Sequence, residues 1–132
     1  MKKKSVLDAY ALLAYLTKES GHARVKDLLA SEDTVIVINS INLGEVFYIL
    51  ARARSIRSAE HFLGVILPSL PVTVLENLVE DVIEAARIKA KHALSFADCF
   101  AAATAIRERV PLVTGDPEFK KLGKALEIDW LG

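Results

Sequence analysis

Two hydrophobic periods run through the chain and divide it into elements. Thr34-Val-Ile-Val-Ile38 is an unbroken β-branched run, the pattern of a strand buried on both faces. Ser5-Val-Leu7, Val72-Thr-Val-Leu75, Pro111-Leu-Val-Thr114 and Ile128 to Leu131 are shorter runs of the same kind. Between them apolar residues recur at three- and four-residue spacing, which predicts helices. Ala9 to Leu16 is the first, broken by Ser20-Gly21, and His22 to Ala30 is the second, with Val25, Leu28 and Leu29 inward. A third runs from about Asn42 to Ala53 with Leu43, Val46, Phe47 and Leu50 on one stripe. After the basic corner Arg52-Ala-Arg54-Ser-Ile-Arg57, another continues to about Leu67, and Pro68 and Pro71 bracket a turn. Asn77 to Lys91 is a long helix, with Asn77-x-x-Glu80 as its expected capping box and Leu78, Val82, Ile83 and Ala86 inward. In Leu94-Ser-Phe-Ala-Asp98-Cys-Phe-Ala-Ala-Ala-Thr-Ala-Ile106 the alanines allow close approach of backbones, and Phe96 and Phe100 share one helical face. Gly115-Asp116-Pro117 is a turn that starts a short helix.

Strands separated by helices imply parallel pairing with helices on both faces, a three-layer α/β/α sandwich around a sheet of four to five strands. Residues 1–132 form one domain, long enough to bury a real core. The six glycines are scattered, so no dinucleotide or phosphate-loop fingerprint exists. A hydrophobic fraction of 52% and a positive mean hydropathy suggest that a partner covers some apolar surface. The longest apolar run, Ala9 to Leu16, is too short to span a membrane. Met1-Lys-Lys-Lys before it imitates a signal peptide, but Asp8 intervenes and no small-residue cleavage pattern follows. The 17 basic and 17 acidic residues leave no global basic field, so any nucleic-acid contact must come from local patches. The single Cys99 excludes an internal disulfide, reads as a small buried hydrophobe, and fits a cytoplasmic protein.

Four acids occupy equivalent places in this scheme. Asp8 follows the first strand, Glu45 lies in the first turn after the second, Asp98 opens its helix, and Asp116 follows the fourth strand. Each has a local reading: Asp8 as an N-cap, Asn42-x-x-Glu45 and Ser95-x-x-Asp98 as capping boxes, Asp116-Pro117 as a cap followed by proline. In a parallel sheet, however, strand C-termini and the following helix N-termini share one edge, where ligands bind. Four converging carboxylates disfavour joint ionisation unless a cation intervenes. Oxygen-only ligands select Mg²⁺ or Mn²⁺. The three histidines and Cys99 have no zinc-ligand spacing.

The segments Val6-Leu-Asp8-Ala-Tyr-Ala-Leu-Leu-Ala, Asn42-Leu-Gly-Glu45-Val, Leu94-Ser-Phe-Ala-Asp98-Cys-Phe-Ala-Ala-Ala and Leu112-Val-Thr-Gly-Asp116-Pro-Glu-Phe119 resemble the motifs of PIN domains in order, spacing and total length. Among these the chain is most similar to the VapC-type toxins of toxin–antitoxin pairs. The resemblance implies a five-stranded parallel sheet, Mg²⁺ or Mn²⁺ held by Asp8, Glu45, Asp98 and Asp116, and ribonuclease activity. It makes Thr114 the hydroxyl residue of the last motif. It also implies an RNA substrate, a cognate antitoxin and a homodimer. One departure is Ala9-Tyr10 after Asp8, where many relatives carry Ser or Thr.

Arg52, seven positions after Glu45, shares nearly its helical face and is a candidate phosphate contact, as is Lys91. Arg54, Arg57, Arg87 and Lys89 are further candidates near helix ends. The expectation is a metal-dependent endoribonuclease toxin that hydrolyses RNA with a metal-activated water. A free-standing PIN nuclease in RNA processing and a non-catalytic PIN scaffold are the rival readings. A phospho-acceptor signalling domain fits less well, because it needs paired acids after the first strand and an Asp ending the third.

Overall fold

The computed structural model describes residues 2–132. Five strands, β1 (Lys3–Leu7), β2 (Thr34–Asn39), β3 (Val72–Leu75), β4 (Leu112–Thr114) and β5 (Ile128–Trp130), pair in parallel in the order β3-β2-β1-β4-β5. The helices α1 (Ala9–Leu16) and α2 (His22–Ala30) join β1 to β2. The segment α3 (Ser40–Ala53), α4 (Ile56–His61), a π turn (Phe62–Ile66) and the single turn α5 (Leu67–Ser69) leads to β3. Helices α6 (Val79–Lys91) and α7 (Phe96–Glu108) return to β4, and a 3₁₀ segment (Pro117–Ala125) returns to β5.

Strand residues of opposite parity enter two separate cores, as the two-residue period requires. Leu7, Ile36, Ile38 and Val113 pack with Leu12, Val25, Val46, Leu50 and Phe62. Val6, Val37 and Leu112 pack with Ala85, Leu94, Cys99, Phe100 and Phe119. The molecule is therefore the expected three-layer sandwich, with the full five strands. The small side chains Ala101, Ala102 and Ala105 of α7 are all buried, which seats this helix close to the sheet. Cys99 is a free, buried thiol. No described helix is long and apolar enough to cross a membrane.

Three local expectations are corrected. Helix α3 starts at Ser40 rather than Asn42, because Asn39 is its N-cap and accepts a hydrogen bond from the Asn42 amide at 2.8 Å. Glu45 therefore lies beyond the first turn. Helix α6 starts at Val79, and its cap is Leu78, whose amide donates to Asp81 Oδ2 at 2.7 Å. Asn77 accepts instead from the Ser40 hydroxyl and the Ile41 amide, tying β3's exit to the start of α3. The buried face of α6 is Asp81 and Ala85, with Asp81 paired to Arg107 of α7. Leu78, Val82 and Ile83, expected inward, are exposed.

Candidate functional site

The C-terminal edge of the sheet gathers the acids. Asp8 directly follows β1 and caps α1, and it is 3% exposed. One carboxylate oxygen accepts from the Ala11 amide at 2.8 Å, and the other accepts from the Thr114 hydroxyl. Thr114 ends β4 beside β1 and is fully buried. Its hydroxyl oxygen also accepts from the Asp116 amide at 3.0 Å. A single threonine thus links two strand ends and two acids. Asp116 caps the 3₁₀ segment, accepting from the Glu118 amide at 2.9 Å, with Pro117 placed where no amide is needed.

Glu45 and Asp98 are brought to the same edge by a buried asparagine. Asn42 Nδ2 donates to Glu45 Oε1 at 3.1 Å and to the Ala97 carbonyl at 3.0 Å, joining α3 to the first turn of α7. Asn39 Nδ2 donates in turn to Asn42 Oδ1 at 2.6 Å and to Thr104 Oγ1 at 3.1 Å. The Ser95 hydroxyl caps α7 by accepting from the Asp98 amide at 3.1 Å. Only this half of the expected box forms, because the Asp98 carboxylate does not bond the Ser95 amide.

The acids feel one another. Burial, followed by the charges of Asp98 and Glu45, pushes the Asp8 carboxyl up to about 7 despite its two hydrogen bonds. Glu45 is raised by burial and by Asp98 and Asp116, with the Asn42 bond offsetting part of the shift. Asp98 is raised by burial, then by Asp116 and Glu118, with Ser95 offsetting part. Asp8, Glu45, Asp98 and Asp116 therefore form one electrostatic unit, to which Glu118 adds a fifth charge. Among the described residues no three His, Cys, Asp or Glu side chains close on a single point as a ligand set.

The family model for the PIN domain matches residues 5–125. The chain belongs to the PIN-domain family. This PIN domain superposes on VapBC2 of Rickettsia felis bound to a promoter DNA fragment, with a TM-score of 0.76 and 18% identity, covering 98% of this chain and 99% of that one. DNA-bound VapBC of Salmonella typhimurium gives a TM-score of 0.75 at 19% identity, over 100% of both chains. VapC20 of Mycobacterium tuberculosis, a toxin that cleaves the sarcin–ricin loop, gives 0.73 at 22% identity, over 90% and 95%. No curated protein sequence matches.

The basic candidates are dispersed around the PIN domain. Arg52 stands over the Tyr48 ring, 5.3 Å from its centroid, on the face of α3 that carries Glu45. Lys91 ends α6 and is exposed. Lys89 donates to the Leu94 carbonyl, and Arg87 pairs with Glu84, so both are engaged locally. Arg54 and Arg57 rim a groove of about 360 Å³ floored by Leu16, Leu50, Phe62 and Ile66. The sequence reading missed the orienting role of Asn42 and the contribution of Glu118. The capping-box spacing marks Asn42 beside Glu45, but its other partner Ala97 lies 55 residues away.

Replacing Asn42 by Ala is expected to cost roughly 1–3 kcal/mol, because it removes one of the two acceptors of buried Asn39 Nδ2 and the donor to both Glu45 and the Ala97 carbonyl. Urea unfolding of the variant against wild type measures it. A loss within a few tenths of a kcal/mol would mean that water replaces the asparagine without penalty.

Proposed function

We propose that this PIN domain is an endoribonuclease dependent on Mg²⁺ or Mn²⁺, and that it is the toxin of a toxin–antitoxin pair. The observation that carries the reading is the carboxylate unit at the C-terminal sheet edge, in which three acids are raised in pKa by burial and mutual repulsion. A protein gains little by burying such a set for its own sake. A divalent cation would neutralise it, and an all-oxygen donor set suits Mg²⁺ or Mn²⁺. Asp8, Glu45, Asp98 and Asp116 would hold the ion. When bound, it supplies an activated water for in-line attack and positive charge beside the phosphate.

The chain's own groups do the positioning. Thr114 fixes one oxygen of Asp8 and the backbone of Asp116, so the strand ends that carry them move as one. Asn42 fixes Glu45 against the start of the Asp98 helix. Arg52, which stands over Tyr48, would meet a substrate phosphate.

The likeness to VapBC assemblies supports an antitoxin partner. The groove floored by Leu16, Leu50, Phe62 and Ile66 suits an apolar helix face, and Arg54 and Arg57 at its rim suit acidic side chains on that helix. The exposed Leu78, Val79 and Ile83 of α6 support a homodimer. A strict monomer by light scattering, with no partner co-purifying from the native operon, would remove both assemblies. The cytoplasm is the compartment where such a nuclease meets RNA.

Isothermal calorimetry tests the metal site. Chelator-stripped wild type is expected to give heat on Mg²⁺ or Mn²⁺ addition, and Asp8→Asn, which keeps the helix cap, is expected to give none. Equal binding by both proteins would sink the site.

A further inference from the structure

Four of the nine aromatic residues are exposed: Tyr10, Tyr48, Phe96 and Trp130. Each lies close, along the chain or in register, to a residue of the acidic edge. Tyr10 lies two residues after Asp8 on α1, Tyr48 three after Glu45 on α3, and Phe96 two before Asp98 on α7. Trp130 is in register with Thr114 at the end of the sheet. The remaining aromatic residues are buried or half-buried. Exposed ring faces near the acids are available to a ligand there.

The four rings are of two kinds. Tyr48 and Trp130 each carry a cation, Arg52 at 5.3 Å and Lys120 at 5.6 Å from the ring centroid. Tyr10 and Phe96 carry none among the described residues, and each is braced from behind. Phe96 meets Phe100 edge-on, with centroids 4.9 Å apart and planes at 62°. Tyr10 rests against Gly115, between Thr114 and Asp116: a Cβ at position 115 would fall 2.3 Å from Tyr10 Cε1 and 2.7 Å from Cζ. Glycine at 115 thus makes the room in which the Tyr10 ring sits beside the acids. Rigid, half-exposed rings interleaved with cations are the elements from which single-stranded nucleic acids are held, because every base has a stackable face and every linkage a phosphate.

We propose that Tyr10 and Phe96 are base-stacking residues of this site, gripping unpaired nucleotides that flank the scissile phosphate. Arg52 and Lys120, held over Tyr48 and Trp130, meet the neighbouring phosphates. The proposal rests on the ribonuclease reading and adds how that site selects its strand. A base inside a duplex has both faces covered by its neighbours, so only an unpaired segment or loop can use these rings.

The test is fluorescence anisotropy with a labelled, unstructured oligoribonucleotide of mixed sequence. It uses an Asp116→Asn parent in chelator, where strand scission is switched off and the cap is kept. Tyr10→Leu and Phe96→Leu keep apolar bulk but remove the stacking face, and each is expected to weaken binding roughly five- to fifty-fold. Tyr10→Phe is expected to bind like the parent. An oligonucleotide of the same length with abasic positions keeps its phosphates, should bind the parent weakly, and should bind both Leu variants no worse. Thermal melts check that each variant folds, and exposed Phe96 at the start of its helix carries the test if Tyr10→Leu disturbs Gly115. Leu variants that bind like the parent, or that lose as much on the abasic strand, overturn the stacking role while wild-type cleavage of RNA leaves the ribonuclease reading standing. If the parent binds no oligoribonucleotide and wild type cleaves no RNA, both fall together.

Discussion

Replacing Asp98 by Asn is expected to remove RNA cleavage by orders of magnitude without weakening the metal-free fold. The helix cap at this position is the Ser95 hydroxyl accepting from the residue 98 amide, a bond that does not use the Asp98 side chain. The carboxylate itself is disfavoured by burial and by the neighbouring Asp116. A neutral isostere therefore relieves repulsion, and in chelator the variant should melt at or above the wild-type temperature. Mg²⁺ at about a hundred times its dissociation constant would stabilise wild type by roughly 2.7 kcal/mol. For a domain of this size that is a rise of about 10 °C. The variant, lacking a ligand, should barely respond. Paired melts with chelator and with Mg²⁺, beside a cleavage assay, decide it. A variant that is destabilised in chelator, still stabilised by metal and still active would make Asp98 a structural residue.

In chelator, wild type is also expected to grow more stable as pH falls from about 7 toward 5. Asp8 holds its proton up to about 7 in the folded chain, against 3.8 as the ordinary value. Between those values the native state keeps a proton that the unfolded chain has lost. The contribution is present in full below the unfolded value, declines as pH rises through the window, and is gone above the folded value. Its full span corresponds to at most about 4 kcal/mol. Glu45 and Asp98, less buried, shift the same way and reinforce the trend. Asp8→Asn should show a much flatter profile. Saturating Mg²⁺ should reverse the wild-type slope, since ligation needs ionised acids. Melting temperature against pH for the two proteins in chelator measures this, and parallel profiles would contradict the burial argument.

The sheet and the acids were legible in the sequence because both depend on strong local signals. Continuous β-branched runs have few other uses, and acids just after strand ends must land on one edge of a parallel sheet. The register of α6 was not legible. Leu78, Val82, Ile83 and Ala86 make an apolar stripe that a periodicity argument turns inward, whereas the face buried against alanine-rich α7 is that of Asp81 and Ala85. Asp81 is tolerated there because Arg107, 26 residues away, pairs with it and the Leu78 amide donates to its other oxygen. Asn77 and Asn42 read as local caps for the same reason: each also bonds groups distant in sequence, which no local pattern shows. The continuation of α4 into a π turn at Phe62–Ile66 had no sequence signature at all.

The central claim, that the acidic edge hydrolyses RNA through a divalent ion and a water nucleophile, is tested most directly by the ends it leaves. Purified wild type is incubated with RNA in Mg²⁺ and in chelator, and the termini of any fragments are determined. Cleavage is expected only with the ion, with 5′-phosphate and 3′-hydroxyl termini, and no products from Asp8→Asn. Cleavage that persists in chelator and leaves 2′,3′-cyclic phosphates would show the ribose hydroxyl as nucleophile and contradict it.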